Sequence, residues 1–312
     1  MFATLLGAIS RPNGPDGQPT ADDDAAIVAV LAAQADAGLE PLTDGRLRAS
    51  GSFWEPSRDV AVVVDAWRFA AGHTDRVVKQ ALPGPYTLGR RAATEDRDAS
   101  TIAWARLLRE QVSALVEAGC QLIEIDERDA HLIGEEPDER RRFADAHLTM
   151  VEGIGGVHLS LAITGGNADT AGIETILAAP YASLAVNLID GPDNWRLVTS
   201  TPGDRGIICG VVSAQSSSDD GPELMLWAAS YASASQGRGP SRVGLGTACG
   251  LDELPWEVAE RKMRAVGEAA RLAQLPVSES APHLDPRSID IKSAAMGRYV
   301  PRSGRRRQRP LP

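Results

Sequence analysis

Several side chains able to do chemistry stand where apolar runs of the chain give out into glycine or proline. Cys249 ends one such run in "GLGTACGLDELP", and His158 and Ser160 stand two apart in "GVHLSLAI". Asp126 and Glu127 close "LIEIDE", Asp44 and Arg46 stand in "PLTDGRLR", and Ser10 and Arg11 follow "ATLLGAI". Asn187 and Asp190 close "SLAVNLID", and Ser213 and Gln215 follow "GIICGVV". Thiolate and imidazole are donors that zinc favours in a tetrahedral shell. Carboxyl groups move protons, and arginine presents a two-pronged donor to carboxylate or phosphate. Each residue also has a plainer use. A histidine inside a strand serves as a hydrogen-bonded core residue, and a strand-end cysteine as a small hydrophobe. Asp126 and Glu127 could cap a helix, and Arg46 could pair with Asp44 or Glu40. Only their collection at one rim would make them a site.

The elements that must collect them alternate. β-Branched runs at 3–9, 41–44, 76–82, 121–126, 156–163, 183–189, 206–212 and 241–246 read as strands. Segments of helical period lie between them, such as 22–38, with acids in its first turn and glycine at its end. Eight strand–helix pairs in about 275 residues predict an α/β fold, a (β/α)8 TIM barrel forming one domain over 1–275. A doubly wound open sheet would show a G-x-G-x-x-G loop after its first strand, and "GAISRPNGPDGQP" has none. Loops that follow the strands carry the chemistry of such barrels. The residues above are therefore expected at a single mouth.

The 312 residues, 43% of them hydrophobic, suffice for one large core or two modest ones. No run of eighteen apolar residues is present, and the first residues lack the basic and apolar regions of a signal peptide. Cys120, Cys209 and Cys249 are an odd, widely spaced set, which suggests a reducing compartment, the cytoplasm, rather than a disulfide framework. A net charge of −10 argues against nucleic acid or an anionic membrane as a partner of the barrel. Residues 276–312 are expected to form a linker and a disordered basic tail. Arg298, Arg302, Arg305, Arg306, Arg307 and Arg309 lie there, and without these six the rest carries about −16. A tail that seeks RNA or lipid is the alternative.

In order along the chain, "GAISRP", "AGLEPLTDGRLR", "KQALPGPYTL", "LIEIDE", "HLSL" and "TACGL" resemble motifs of the vitamin B12-independent methionine synthases, over about residues 3–273. The likeness is closest to their C-terminal catalytic barrel and to the single-barrel archaeal forms, within a superfamily shared with uroporphyrinogen decarboxylase. The resemblance implies a zinc ion that takes up a substrate thiol as thiolate for attack on a methyl group. The family's ligands are a histidine and a cysteine two apart, a glutamate one strand later, and the cysteine of a C-G-L motif. His158 and Cys249 match the first and the last, while Ser160 stands at the second and Asn187 near the third. Zinc is thus expected with an incomplete set, His158 and Cys249, with Ser160 and Asp190 as weak extra ligands. No nucleotide cofactor is implied. The family's proton-donating histidine after strand seven falls on Gln215, which cannot titrate.

Where the family's "DGE" binds the amino group of homocysteine, this chain has "DGR". Arg46 in place of that glutamate suits an anionic group on the substrate, and Asp126 is retained for an amino group or a proton. The resemblance implies substrate contacts at Ser10, Arg11, Asp44, Arg46, Trp54, Asp126, Glu127 and Asn187, with Trp54 covering a flat ligand. Asp126, His158 and Gln215 fall at the catalytic positions. The chain has no counterpart of the N-terminal barrel that helps long forms bind polyglutamylated folate, so the expected methyl donor is a corrinoid protein or a small methylated molecule. Three functions stay open. One is methyl or alkyl transfer at sulfur on a small anionic substrate. Another is a metal-free lyase or decarboxylase using Arg11, Arg46, Asp126 and His158. The third is a ligand-binding relative without catalysis. Each is compatible with an oligomer.

Overall fold

The apolar runs become short parallel strands because each must be buried on both faces, one toward the barrel interior and one toward a helix. The computed structural model describes residues 1–14, 16–48 and 54–283. In chain order the elements are β1 (Phe2–Thr4), α1 (Asp23–Asp36), α2 (Val60–Ala71), β2 (Gln80–Pro83), α3 (Pro85–Arg91), α4 (Arg97–Glu117) and β3 (Leu122–Asp126). They continue with α5 (Pro137–Val151), β4 (His158–Ile163), α6 (Ile173–Ile176), β5 (Ser183–Asn187), α7 (Trp195–Ser200) and β6 (Gly206–Val212). The last are α8 (Pro222–Ala234), β7 (Val243–Thr247), α9 (Trp256–Leu272) and α10 (Val277–Ser280). The arginine-rich tail lies outside the described residues. No described helix is long and apolar enough to cross a membrane.

The strands form one parallel sheet in the order β1-β7-β6-β5-β4-β3-β2. The chain at 40–42 joins its two edges. Glu40 N donates to Ala3 O at 2.9 Å, Leu42 N to Val77 O at 2.8 Å, and Lys79 N to Leu42 O at 2.9 Å. That segment, expected from the sequence as a strand over 41–44, makes a single parallel bridge, Leu42 to Val78. With it the ring has eight positions, as the (β/α)8 reading requires. The first run is shorter than expected. It leaves the sheet after Thr4, where Leu6 N bonds to the Thr247 hydroxyl at 2.9 Å instead of to a neighbouring strand.

Local chemistry sets the helix starts. Asp22 accepts from the amides of Asp24 and Ala25 ahead of α1, Asp59 from Ala61 ahead of α2, and Asp96 from Ala99 ahead of α4. Inside the ring the fill is small. Leu6, Ala162, Ala185 and Ile208 form a compact apolar layer, with Phe2 packed against it. β7 contributes glycine there, and a Cβ on Gly244 would lie 2.5 Å from the Phe2 ring. This layer divides the barrel interior into two mouths.

Candidate active site

At the C-terminal mouth, β3 ends on Asp126, β4 runs out at Thr164, β5 ends on Asn187 and β7 leads to Cys249. Thr164 Oγ1 donates to Asp126 Oδ1 at 2.5 Å. Asp126 is only 3% exposed. Burial raises its carboxyl to about 7, against the pull of the Thr164 hydroxyl and the Arg46 guanidinium and with the repulsion of Glu124 and Glu127. A buried carboxyl that titrates near neutrality is a usual sign of acid–base function.

Arg46 reaches this mouth from the loop after 40–42. It sits at φ 62°, a left-handed backbone uncommon for any residue but glycine, directly after Gly45 at φ 66°. The Asp44 carboxylate holds the turn by accepting from Arg46 N at 2.9 Å. Burial lowers the guanidinium to about 10, opposed by Asp44, Asp126 and Asp252. It therefore stays cationic at neutral pH. Asp44, itself 3% exposed, is pushed up by burial despite Arg46. Asp44 and Arg46 also line a cavity of about 610 Å³ between this loop, α2 and β2. Strain kept at such a position is characteristic of functional sites.

Cys249 is half-buried, and burial pushes its thiol up to about 12, helped by the negative charges of Asp190, Asp126 and Asp252 and opposed by Arg128. The surroundings keep it a thiol. Ser10 lies in the loop after β1, which packs on the Cys249 loop through Leu251 N to Ala8 O at 2.7 Å. Its hydroxyl is buried without a partner.

The other expected site residues lie elsewhere or are already engaged. His158 opens β4 rather than closing it, in register with Leu122, and its Nε2 lies 2.8 Å from Ser183 Oγ. Burial lowers its pKa. Ser160 shares its inward face, as the two-residue spacing implies, but both belong to the N-terminal mouth. Six residues of strand, roughly 20 Å at about 3.3 Å each, separate His158 from Thr164. His158 and Cys249 therefore cannot share a metal, which corrects the expected ligand pair. The inward positions of β4 at the C-terminal mouth are Ala162 and Thr164, and Asn187 stands on β5, so none of these strand positions gives Cys249 a second soft donor, and His131, packed against Gly165, has its Nδ1 3.0 Å from Arg128 O. Among the described residues no group of three or more histidine, cysteine, aspartate and glutamate side chains converges to hold a metal ion. The donor set does not fit zinc.

Glu127 is fully buried and holds α3 instead of a substrate. Its carboxylate accepts from Tyr86 N and Thr87 N, each at 2.8 Å, from Thr87 Oγ1 at 2.5 Å, and is 3.0 Å from His147 Nε2. Asn187 uses its side chain on its own loop. Nδ2 donates to Thr164 O and Asp190 Oδ2, and Oδ1 accepts from Ile189 N and Asp190 N. No valence is left for a ligand. Arg11 donates to Asp23, Leu47 O and Thr20 O. Gln215 is exposed in the loop after β6. Trp54 lies under the Arg91 guanidinium, 4.5 Å from its ring centre, beside Leu88 and Trp104. Thr164 and Asp252 escaped the sequence reading. The "TGGN" break after β4 is the signal that marks Thr164 as the true strand end.

Residues 33–165 match the catalytic-domain family of the cobalamin-independent synthases. No curated protein matches the chain. Among solved structures, a B12-independent methionine synthase from Shewanella sp. W3-18-1, in complex with selenomethionine, superposes with a TM-score of 0.73 at 15% identity, over 90% of this chain and 99% of that one. A protein from Listeria monocytogenes, assigned as a vitamin B12-independent methionine synthase, gives a TM-score of 0.65 at 17% identity, over 87% of this chain and 97% of that one. At these identities the superpositions speak for the fold. The chain is thus related to the cobalamin-independent methionine synthases, by sequence over residues 33–165 and by fold over 90% of its length.

Proposed function

We propose that the protein is an enzyme of the methyl- or alkyl-transfer type, acting at the C-terminal mouth on a small substrate that carries an anionic group. One observation carries this reading: Asp126, buried and raised to about 7, lies within electrostatic reach of the cationic Arg46. Arg46 takes the anionic group, by the paired hydrogen bonds that suit carboxylate. Asp126 exchanges a proton with the reacting group, and a pKa near the working pH keeps both of its forms populated. The Thr164 hydroxyl fixes the carboxyl while it does so. An amino acid meets both requirements, and the Shewanella relative's complex with selenomethionine supports that choice. The methyl donor proposed is a corrinoid protein or a small methylated molecule. No step is assigned to zinc.

With no group of three or more metal-ligating side chains among the described residues, the same Arg46 and Asp126 also suit a second reading, a metal-free lyase or decarboxylase. Release of carbon dioxide or of a thiol from a substrate, with no methyl acceptor present, would select it. Calorimetry with methionine tests the site common to both. Wild-type protein should bind, Arg46→Met and Asp126→Asn should each weaken binding by about tenfold or more, and His158→Ala should leave it unchanged. Binding that ignores both site substitutions would overturn the proposal, as would none at all for the amino-acid substrate.

A further inference from the structure

The N-terminal mouth holds a second cavity, of about 510 Å³, lined by residues at or just before the start of every strand position. The Leu6, Ala162, Ala185 and Ile208 layer separates it from the C-terminal mouth. Most of its exposed wall is apolar, with Phe2, Leu122 and Ile208 among its residues, and Glu40, His158, Asp204 and Arg242 also line it. At its inner end Lys79 and Glu124, 2% and 3% exposed at their side chains, form an ion pair of 2.6 Å between Nζ and Oε2. Lys79 Nζ also donates to Leu5 O at 2.6 Å.

Two buried groups here lack partners. Glu124 Oε1 makes no hydrogen bond, and neither does Ser160 Oγ, on the residue paired with Glu124 across β3 and β4. A buried acceptor left unmade costs free energy that a matching donor would recover. A volume of this size lies in the range that holds small ligands.

We propose that this cavity is a binding site for a small neutral molecule with an apolar ring and one N–H or O–H donor, directed to Glu124 Oε1 and Ser160 Oγ. Charge selects neutrality. At the inner end Lys79 already balances Glu124, so a cation there would arrive without a counterion of its own and an anion would meet the carboxylate, while the exposed rim carries both signs, Glu40 and Asp204 against Arg242. The apolar wall selects the ring.

Indole and indene, alike in shape except for the N–H, are suitable probes for titration calorimetry. Indole should bind at least about tenfold more tightly than indene. Ala182→Trp, a change at the exposed rim of the cavity, should abolish indole binding, with the melting transition retained and methionine binding at the other mouth unaffected. The triple variant Lys79→Met/Glu124→Met/Ser160→Ala removes both acceptors without stranding a charge, and should bind the two probes alike. Equal affinities in the wild type, indole binding that survives Ala182→Trp, or no binding of either probe at millimolar concentration would overturn the proposal. The last result would mean that the cavity holds only water.

Discussion

A buried carboxyl that titrates near neutrality ties the stability of its fold to pH. Asp126 is raised to about 7 by burial, so the folded chain binds this proton more tightly than the unfolded chain does. Its contribution to stability is therefore greatest below the unfolded value near 4, declines as pH rises to about 7, and is level above. Three units correspond to a loss on the order of 4 kcal/mol. Asp44 is shifted in the same direction and adds to the slope. Urea unfolding at pH 5 and pH 8 should show wild-type protein less stable at pH 8, and Asp126→Asn should reduce that difference. An equal slope in the variant would place the titration elsewhere. Arg46 does not cancel the effect, because burial outweighs its attraction at Asp126.

Among the elements, α3 shows how a residue that reads as a substrate contact becomes structural. Gly84 precedes the helix, and a Cβ there would lie 2.1 Å from Glu127 Cδ. Only glycine lets the carboxylate reach the amides of Tyr86 and Thr87. Gly84→Ala should cost about 3 kcal/mol or more in unfolding free energy, since it displaces a buried carboxylate from its donors. A loss below about 1 kcal/mol would mean that Glu127 has another way to be satisfied. Nothing local to "LIEIDE" reveals this, because the helix that Glu127 caps begins forty residues earlier in the chain. β4 teaches a related lesson. A two-residue period shows that His158 and Ser160 share a face, and they do. Period alone does not say which end of the strand they occupy, and the true end is marked by "TGGN". Asp126 and Cys249 were legible because a turn follows each at once.

At the scale of the whole molecule, the ring of eight positions was readable from alternation and length, since each apolar run needs a helix to cover it. What fills the ring was not, because interior layers combine residues from strands far apart in sequence. The Lys79–Glu124 pair shows this, linking β3 to the chain before β2 and, through Leu5 O, to the end of β1. Lys79→Met would leave a buried carboxylate unpaired and should cost about 3–5 kcal/mol, measured by denaturant unfolding. A smaller loss would show water reaching Glu124. The ring also keeps its two mouths apart, so chemistry at Asp126 should be independent of occupancy at Glu124.

The measurement that bears most directly on the site is a 13C NMR titration of the Asp126 carboxyl, assigned by comparison with Asp126→Asn, without and with methionine. The predicted result is a midpoint near 7 that methionine displaces. A midpoint below about 5, or one near 7 that methionine does not move, would contradict Asp126 as the proton-handling group of the C-terminal mouth.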